Sequence, residues 1–137
     1  MQTNFHYAFK VKDIASTKQF YSEILGCNLG RETDHWVDFD FFGHQLSAHV
    51  STAIPDLDYC GIVDGIKVPI PHFGCIISFE DFDRISKKLK EHQITFLMDP
   101  QTRYIGKTGE QKTMFILDFS SNPLEFKCFK NREEIFL

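Results

Sequence analysis

The chain has 137 residues, a net charge of −4 and 42% apolar residues, a size that fits one domain or two small modules sharing a core. The acidic balance and the lack of any Lys/Arg block exclude a general nucleic-acid binder, and no apolar run approaches the ~20 residues of a membrane span. No basic stretch followed by an apolar one opens the sequence, so the expected location is cytoplasmic. Cys27, Cys60, Cys75 and Cys128 are widely spaced without a C-x-x-C pair and are expected to be reduced, with Cys75 and Cys128 buried as small core residues. Fifteen phenylalanines promise an aromatic interior.

In chain order, Phe5 to Val11 reads as a strand with His6 at its start. Asp13 to Leu25 reads as a helix, capped by Asp13 or Ser16. Its apolar stripe runs through Ile14, Phe20, Tyr21, Ile24 and Leu25, and Gly26 stops it. Residues 27–31, Trp36 to Phe42 and Gln45 to Ser51 read as three strands, the last two joined by a turn at Gly43-His44. Residues 4–51 thus form a β-α-β-β-β module. Residues 52–71 carry only turn and extended signals, such as Ile54-Pro55-Asp56 and Val63-Asp64-Gly65, and read as a connection that folds over a cleft.

Residues 72–129 repeat the order. His72 to Phe79 reads as a strand opened by histidine, Asp81 to His92 as a helix with Phe82, Ile85 and Leu89 at helical spacing, and Ile94 to Met98 as a strand. Residues 99–112 read as a polar, mobile loop holding Arg103 and Tyr104, either of which would contact an anionic substrate if turned inward. Met114 to Leu117 reads as a strand buried on both faces. Asp118 to Pro123 is dense in turn formers, and a last strand follows. Alternation on that strand sets Leu124, Phe126 and Cys128 on one face and Glu125, Lys127 and Phe129 on the other. Residues 130–137 form a short tail.

A carboxylate in a strand as apolar as that of Glu125 needs a partner or loses its charge. His6 and His72 hold equivalent places in the repeat. Two histidines and one glutamate meeting at a point would hold a divalent metal with open positions, and the donor set suits Fe, Mn, Zn, Ni or Co. Such a metal would bind a substrate through two neighbouring oxygens. In the same repeat, the strand carrying His49 matches the strand carrying Glu125. Gln45, Ser47 and His49 share a face, so His49 is a candidate either for the metal or for acid–base work. His44 reads as a turn residue, and His35 and His92 as exposed.

The chain resembles the vicinal oxygen chelate superfamily, which includes glyoxalase I, fosfomycin-resistance proteins, extradiol dioxygenases and bleomycin-resistance proteins. The resemblance rests on His6 with Val11-Lys12-Asp13, on Phe20-Tyr21-x-x-Ile24-Leu25-Gly26, on His72, and on Asp118-Phe119-Ser120-Ser121-Asn122-Pro123-Leu124-Glu125. It implies an α+β fold in which two βαβββ modules within one domain, residues 1–137, form an incomplete barrel. It implies His6, His72 and Glu125 as ligands of one divalent metal and Glu125 and His49 as catalytic groups. It further implies a homodimer with a small-molecule substrate and no nucleic-acid or membrane partner. The expected function is a glyoxalase-like lyase/isomerase or a dioxygenase. The alternative is a non-catalytic, bleomycin-resistance-like binding protein.

Overall fold

In the computed structural model, which describes residues 2–137, the chain opens with strand β1 (His6–Val11). Asp13 then caps a helix: its Oδ1 accepts from the Ser16 amide at 2.7 Å, and that bond holds the carboxyl below its ordinary pKa. The expected single α-helix is in fact two segments. Helix α1 (Ile14–Lys18) widens into a π-helical stretch, Gln19–Ile24, in which the Leu25 amide reaches back to the Phe20 carbonyl. Adjacent Phe20 and Tyr21 are both fully buried there and meet edge to face. Gly26, at φ 80°, ends the element as expected.

Strands β2 (Asn28–Glu32), β3 (Trp36–Phe41) and β4 (His44–Val50) complete a four-stranded sheet of order β1-β4-β3-β2. β1 runs parallel to β4 and the other pairs are antiparallel. The β3–β4 turn falls on Phe42-Gly43 rather than on Gly43-His44. Both residues take positive φ, 53° and 89°, the turn twist that suits two closely joined strands. His44 is therefore the first residue of β4.

The stretch expected to be an irregular connection contains a hairpin, β5 (Gly61–Val63) and β6 (Ile66–Val68), turning at Asp64-Gly65. An Asp-Gly pair is the usual mark of such a turn. Next come β7 (Phe73–Ile76) and α2 (Phe79–Glu91), the latter capped by Ser78, whose Oγ accepts from the Asp81 amide. Strands β8 (Phe96–Arg103), β9 (Gln111–Leu117) and β10 (Pro123–Phe129) give a second sheet, of order β7-β10-β9-β8. The two sheets share one topology, and the fold is α+β. The polar loop expected over 99–112 shrinks to residues 104–110, because β8 continues through Pro100. A register shift between Met98 and Gln101 lets proline sit there.

The chain divides into two compact units, one of the residues up to Asp56 with Asp118–Asn122, the other of Leu57–Leu117 with Pro123–Leu137. The first is cored by Phe20, Tyr21, Ile24, Val37 and Phe39, the second by Ile85, Leu89, Met114, Ile116, Leu124 and Phe126. None of the four cysteines is in a disulfide. Cys27 and Cys128 are buried, while Cys75, expected in the core, is only half-buried on β7. Among the described residues, no helix is long and apolar enough to cross a membrane.

Asp118 to Asn122, the link from β9 to β10, is built into the first unit by a knot of hydrogen bonds. Asp118 Oδ1 accepts from the Ser120 and Asn122 amides, each at 2.8 Å. Its Oδ2 accepts from the Tyr21 hydroxyl at 2.7 Å and from Asn122 Nδ2 at 3.0 Å. Ser120 Oγ accepts from the Lys12 amide, and Asn122 Nδ2 also donates to the Lys10 carbonyl. Burial raises the Asp118 carboxyl pKa even against these four donors.

Burial, with the neighbouring Asp118 charge, pushes the Tyr21 hydroxyl well above 10. The folded state thus keeps a proton that the unfolded chain releases near pH 10, and stability falls as pH rises above that value. We expect Tyr21→Phe to cost about 1–3 kcal/mol at pH 7, since Asp118 loses a donor. The same substitution should flatten the alkaline fall, as read by urea denaturation at pH 7, 9 and 11.

Candidate metal centre

The second unit holds a histidine–carboxylate pair. Gly74 lies opposite Glu125 in the parallel β7–β10 register, and His72 stands just before β7. The His72 Nε2 to Glu125 Oε1 distance is 3.3 Å. His72 Nδ1 is 2.7 Å from the Pro69 carbonyl oxygen, which can only accept, so Nδ1 carries the hydrogen. In the neutral ring, Nε2 then offers its lone pair toward a carboxylate. Thr113 Oγ1 donates to Glu125 Oε2, and Lys127 Nζ is 3.9 Å from Glu125 Oε1. The His72 ring meets the buried Phe115 ring edge to face at 4.9 Å. His72, Glu125, Lys127 and the strand Phe73–Ile76 line a cavity of about 210 Å³.

Two acceptors this close require something positive. A proton is one answer: the hydrogen bond to Glu125 raises the His72 pKa against the opposing effect of burial. Burial by itself would raise the Glu125 carboxyl, but the bonds from His72 and Thr113 and the charge of Lys127 hold it below its ordinary value. A divalent cation is the other answer, and the pair fits one. It offers a ring nitrogen whose tautomer is fixed by a backbone carbonyl and a carboxylate fixed by a hydroxyl, the outer supports that metal ligands use. Among the described residues, no three His, Cys, Asp or Glu side chains are grouped closely enough to hold a metal ion.

In the first unit His6 opens β1 and is exposed, with Nδ1 2.8 Å from Gln45 Oε1. β1 pairs with β4 so that His6 faces Gln45, Ala8 faces Ser47 and Lys10 faces His49. If the second sheet's register is extended by one residue, His72 stands opposite Pro123. The place of Glu125 in the repeat is then taken by Ser47, and the place of Lys127 by His49. His49 is four residues past Gln45, about 13 Å along the strand, and lies near the Trp36 ring. Ser47 Oγ donates to Asp38 Oδ1 at 2.6 Å.

Arg103 and Tyr104 lie in the second unit at the end of β8. The Arg103 guanidinium donates to Asp64 Oδ2 and to the Tyr104 hydroxyl and stacks on that ring, so it is already engaged at the β5–β6 turn. Thr113, the Pro69 carbonyl and the Gln45–Asp38 pair escaped sequence reasoning. Lys127 was placed on the face of Glu125 by alternation, but its nearness to the carboxylate was not foreseen. Gly74 left a readable signal, since a glycine inside a strand marks close backbone approach.

A family model described as the Glyoxalase/Bleomycin resistance protein/Dioxygenase superfamily matches residues 5–126. The chain belongs to that superfamily. It is 27% identical over 120 residues to the metallothiol transferase FosB of Staphylococcus haemolyticus, covering 88% of this chain and 78% of the relative. The solved glyoxalase/bleomycin resistance protein/dioxygenase of Alicyclobacillus acidocaldarius is 32% identical with a TM-score of 0.78, covering 98% and 96% of the two chains. The fosfomycin resistance protein FosX of Listeria monocytogenes shares the fold at a TM-score of 0.73 and 17% identity, with 98% of each chain covered.

The pair depends on Gly74. A Cβ there would stand 1.6 Å from the Glu125 carbonyl oxygen, so β7 and β10 would have to part. Gly74→Ala is expected to cost about 3 kcal/mol and to separate His72 from Glu125. Thermal unfolding, with the His72 side-chain titration followed by NMR, checks both effects.

Proposed function

We propose that the chain is a divalent-metal-dependent enzyme acting on a small substrate that presents two neighbouring oxygens, with His6, His72 and Glu125 as the metal ligands. The observation that carries this reading is the His72–Glu125 pair, two acceptors fixed 3.3 Å apart by their outer partners. His6 is supported as the third ligand by its equivalent place at the start of the matching strand and by the acceptor at its own Nδ1. Fe, Mn, Zn, Ni or Co suits this donor set. When bound, the metal supplies Lewis acidity to the substrate oxygens.

The residues of the chain supply the rest. Thr113 and the Pro69 carbonyl hold the two ligands of the second unit in place. Phe115 presents an apolar wall beside His72. Lys127 offers a positive charge to an anionic group of the substrate. Arg103 and Tyr104 serve that group only after Arg103 leaves Asp64. His49 acts as an acid–base group, because its place in the repeat is that of Lys127 and not that of a ligand. The name metallothiol transferase, borne by a relative, supports transfer of a thiol beside the glyoxalase-like and dioxygenase reactions. The protein works as a cytoplasmic homodimer in this reading, its cysteines, none of them in a disulfide, suited to a reducing compartment.

Lys127 favours one second reading. An ammonium group close to Glu125 can take the place of a metal, as a metal-free, bleomycin-resistance-like binding protein would require.

Elemental analysis after purification without added metal separates the two readings. The enzyme reading expects bound metal, with His6→Ala, His72→Ala and Glu125→Ala each losing at least the roughly 10–100-fold in affinity that removal of an outer partner costs. Mixing His6→Ala with Glu125→Ala subunits should restore metal binding if a site takes His6 from one copy and Glu125 from the other. It should restore nothing if each chain builds its own site. Absence of metal from the wild type even after metal is supplied would overturn the enzyme reading.

His49→Ala should leave metal affinity unchanged and slow turnover by about 10²–10⁴-fold. The substrate for that assay comes from a screen of methylglyoxal–thiol adducts, catechols and fosfomycin with thiols. Weakened metal binding would instead make His49 a ligand.

A further inference from the structure

The polar face of the first sheet carries an ordered chain of contacts that ends on His6. Ser47 Oγ donates to Asp38 Oδ1 at 2.6 Å, Gln45 Nε2 donates to Asp38 Oδ2 at 3.4 Å, and Gln45 Oε1 is 2.8 Å from His6 Nδ1. Strand register alone brings these residues together. Gln45 is the cross-strand neighbour of both His6 on β1 and Asp40 on β3, and Ser47 faces Asp38. Each link has only one workable polarity. The Asp38 carboxylate accepts and does not donate, so it draws the NH₂ end of the Gln45 amide. The amide oxygen must then point the other way, toward His6. An amide oxygen also only accepts, so Nδ1 must carry the hydrogen and Nε2 is left with its lone pair.

We propose that Gln45, oriented by Asp38, is a positioning residue that fixes His6 in its Nδ1–H tautomer and leaves Nε2 free to bind metal. This rests on His6 being a ligand, as argued above. The second unit reaches the same outcome by another route, with the Pro69 carbonyl holding His72 Nδ1. The two strand-opening histidines are thus set in the same tautomer by unrelated acceptors, as expected of two ligands that offer Nε2 to one ion. Neither Gln45 nor Asp38 touches substrate in this account; both act through His6.

The test has two readouts on the whole protein. The first needs no metal: ¹⁵N chemical shifts of the neutral His6 ring report which nitrogen bears the hydrogen. The wild type should show the Nδ1–H form. Gln45→Leu should shift the ring toward the commoner Nε2–H form, Asp38→Asn should do so in part, and Gln45→Glu, which keeps an acceptor, should restore Nδ1–H. A wild-type ring in the Nε2–H form, or one unmoved by Gln45→Leu, would overturn the proposal. The second readout is the affinity for Co²⁺ by calorimetry, where Gln45→Leu should lose about 10–100-fold and Gln45→Glu should not. A tautomer that changes while Co²⁺ affinity stays constant would also overturn the positioning role. If His6→Ala itself leaves Co²⁺ affinity unchanged, the ligand assignment has failed. The tautomer measurement still decides whether Gln45 sets the ring, so the two failures are distinguishable.

Discussion

Asp118 is the point on which the first unit turns. A buried carboxylate is costly unless its lone pairs are met, and here four donors converge on it: two backbone amides, the Asn122 amide and the Tyr21 hydroxyl. Tyr21 comes from the π-helical stretch and the other donors from the turn that leads into β10. The same turn sends Asn122 to the Lys10 carbonyl and receives the Lys12 amide on Ser120, so both ends of the knot are tied to the residues around the end of β1. The turn formers between Asp118 and Pro123 are therefore more than a change of chain direction. They complete the core that Tyr21 begins, and β10, with Glu125 two residues beyond its start, leaves from that anchored point.

Most of the fold could be read from periodicity and punctuation. The second helix, the end of the first helical element at Gly26, the repeated element order and the faces of β10 follow from the spacing of Ile85 and Leu89, from Gly26 itself and from the alternation of Leu124, Glu125, Phe126 and Lys127, while the π-helical widening after Lys18 does not. The misses have physical causes. Phe42 at positive φ defeats a reading that starts the turn on Gly43, because a bulky residue is rarely found in that conformation. Pro100 within β8 defeats the rule that proline stops a strand, because a register shift removes the need for its missing hydrogen. The hairpin at Asp64-Gly65 was hidden by its three-residue strands, too short to show alternation.

The candidate centre was legible only in its donors. Glu125 and His72 could be singled out because a carboxylate and a histidine in apolar runs call for partners. What holds them could not be read. Thr113 and Pro69 act through register and through a backbone carbonyl, neither of which has a local sequence signature. The repeat adds a relation that one sheet alone would not show. Each sheet pairs a hydroxyl with a carboxylate across its third and fourth strands, with the roles exchanged: Asp38 on β3 with Ser47 on β4, and Thr113 on β9 with Glu125 on β10. The two pairs are set differently, since Ser47 and Asp38 stand directly opposite while Thr113 faces Lys127 and reaches Glu125 diagonally, and only the second sheet puts its carboxylate on the strand beside the histidine-bearing edge.

The two histidines differ in how descent can reach them. The acceptor behind His6 is a side chain, Gln45, and a single codon change removes or replaces it. The acceptor behind His72 is the carbonyl of Pro69, which every residue type would still provide. Drift can therefore retune the ring on β1 in small steps, by trading glutamine for glutamate, leucine or histidine, while the ring before β7 keeps its orientation through any substitution that preserves the backbone path. Among related chains, changes in what holds the histidine ring should therefore accumulate on the first sheet, while the backbone contact that holds His72 is kept.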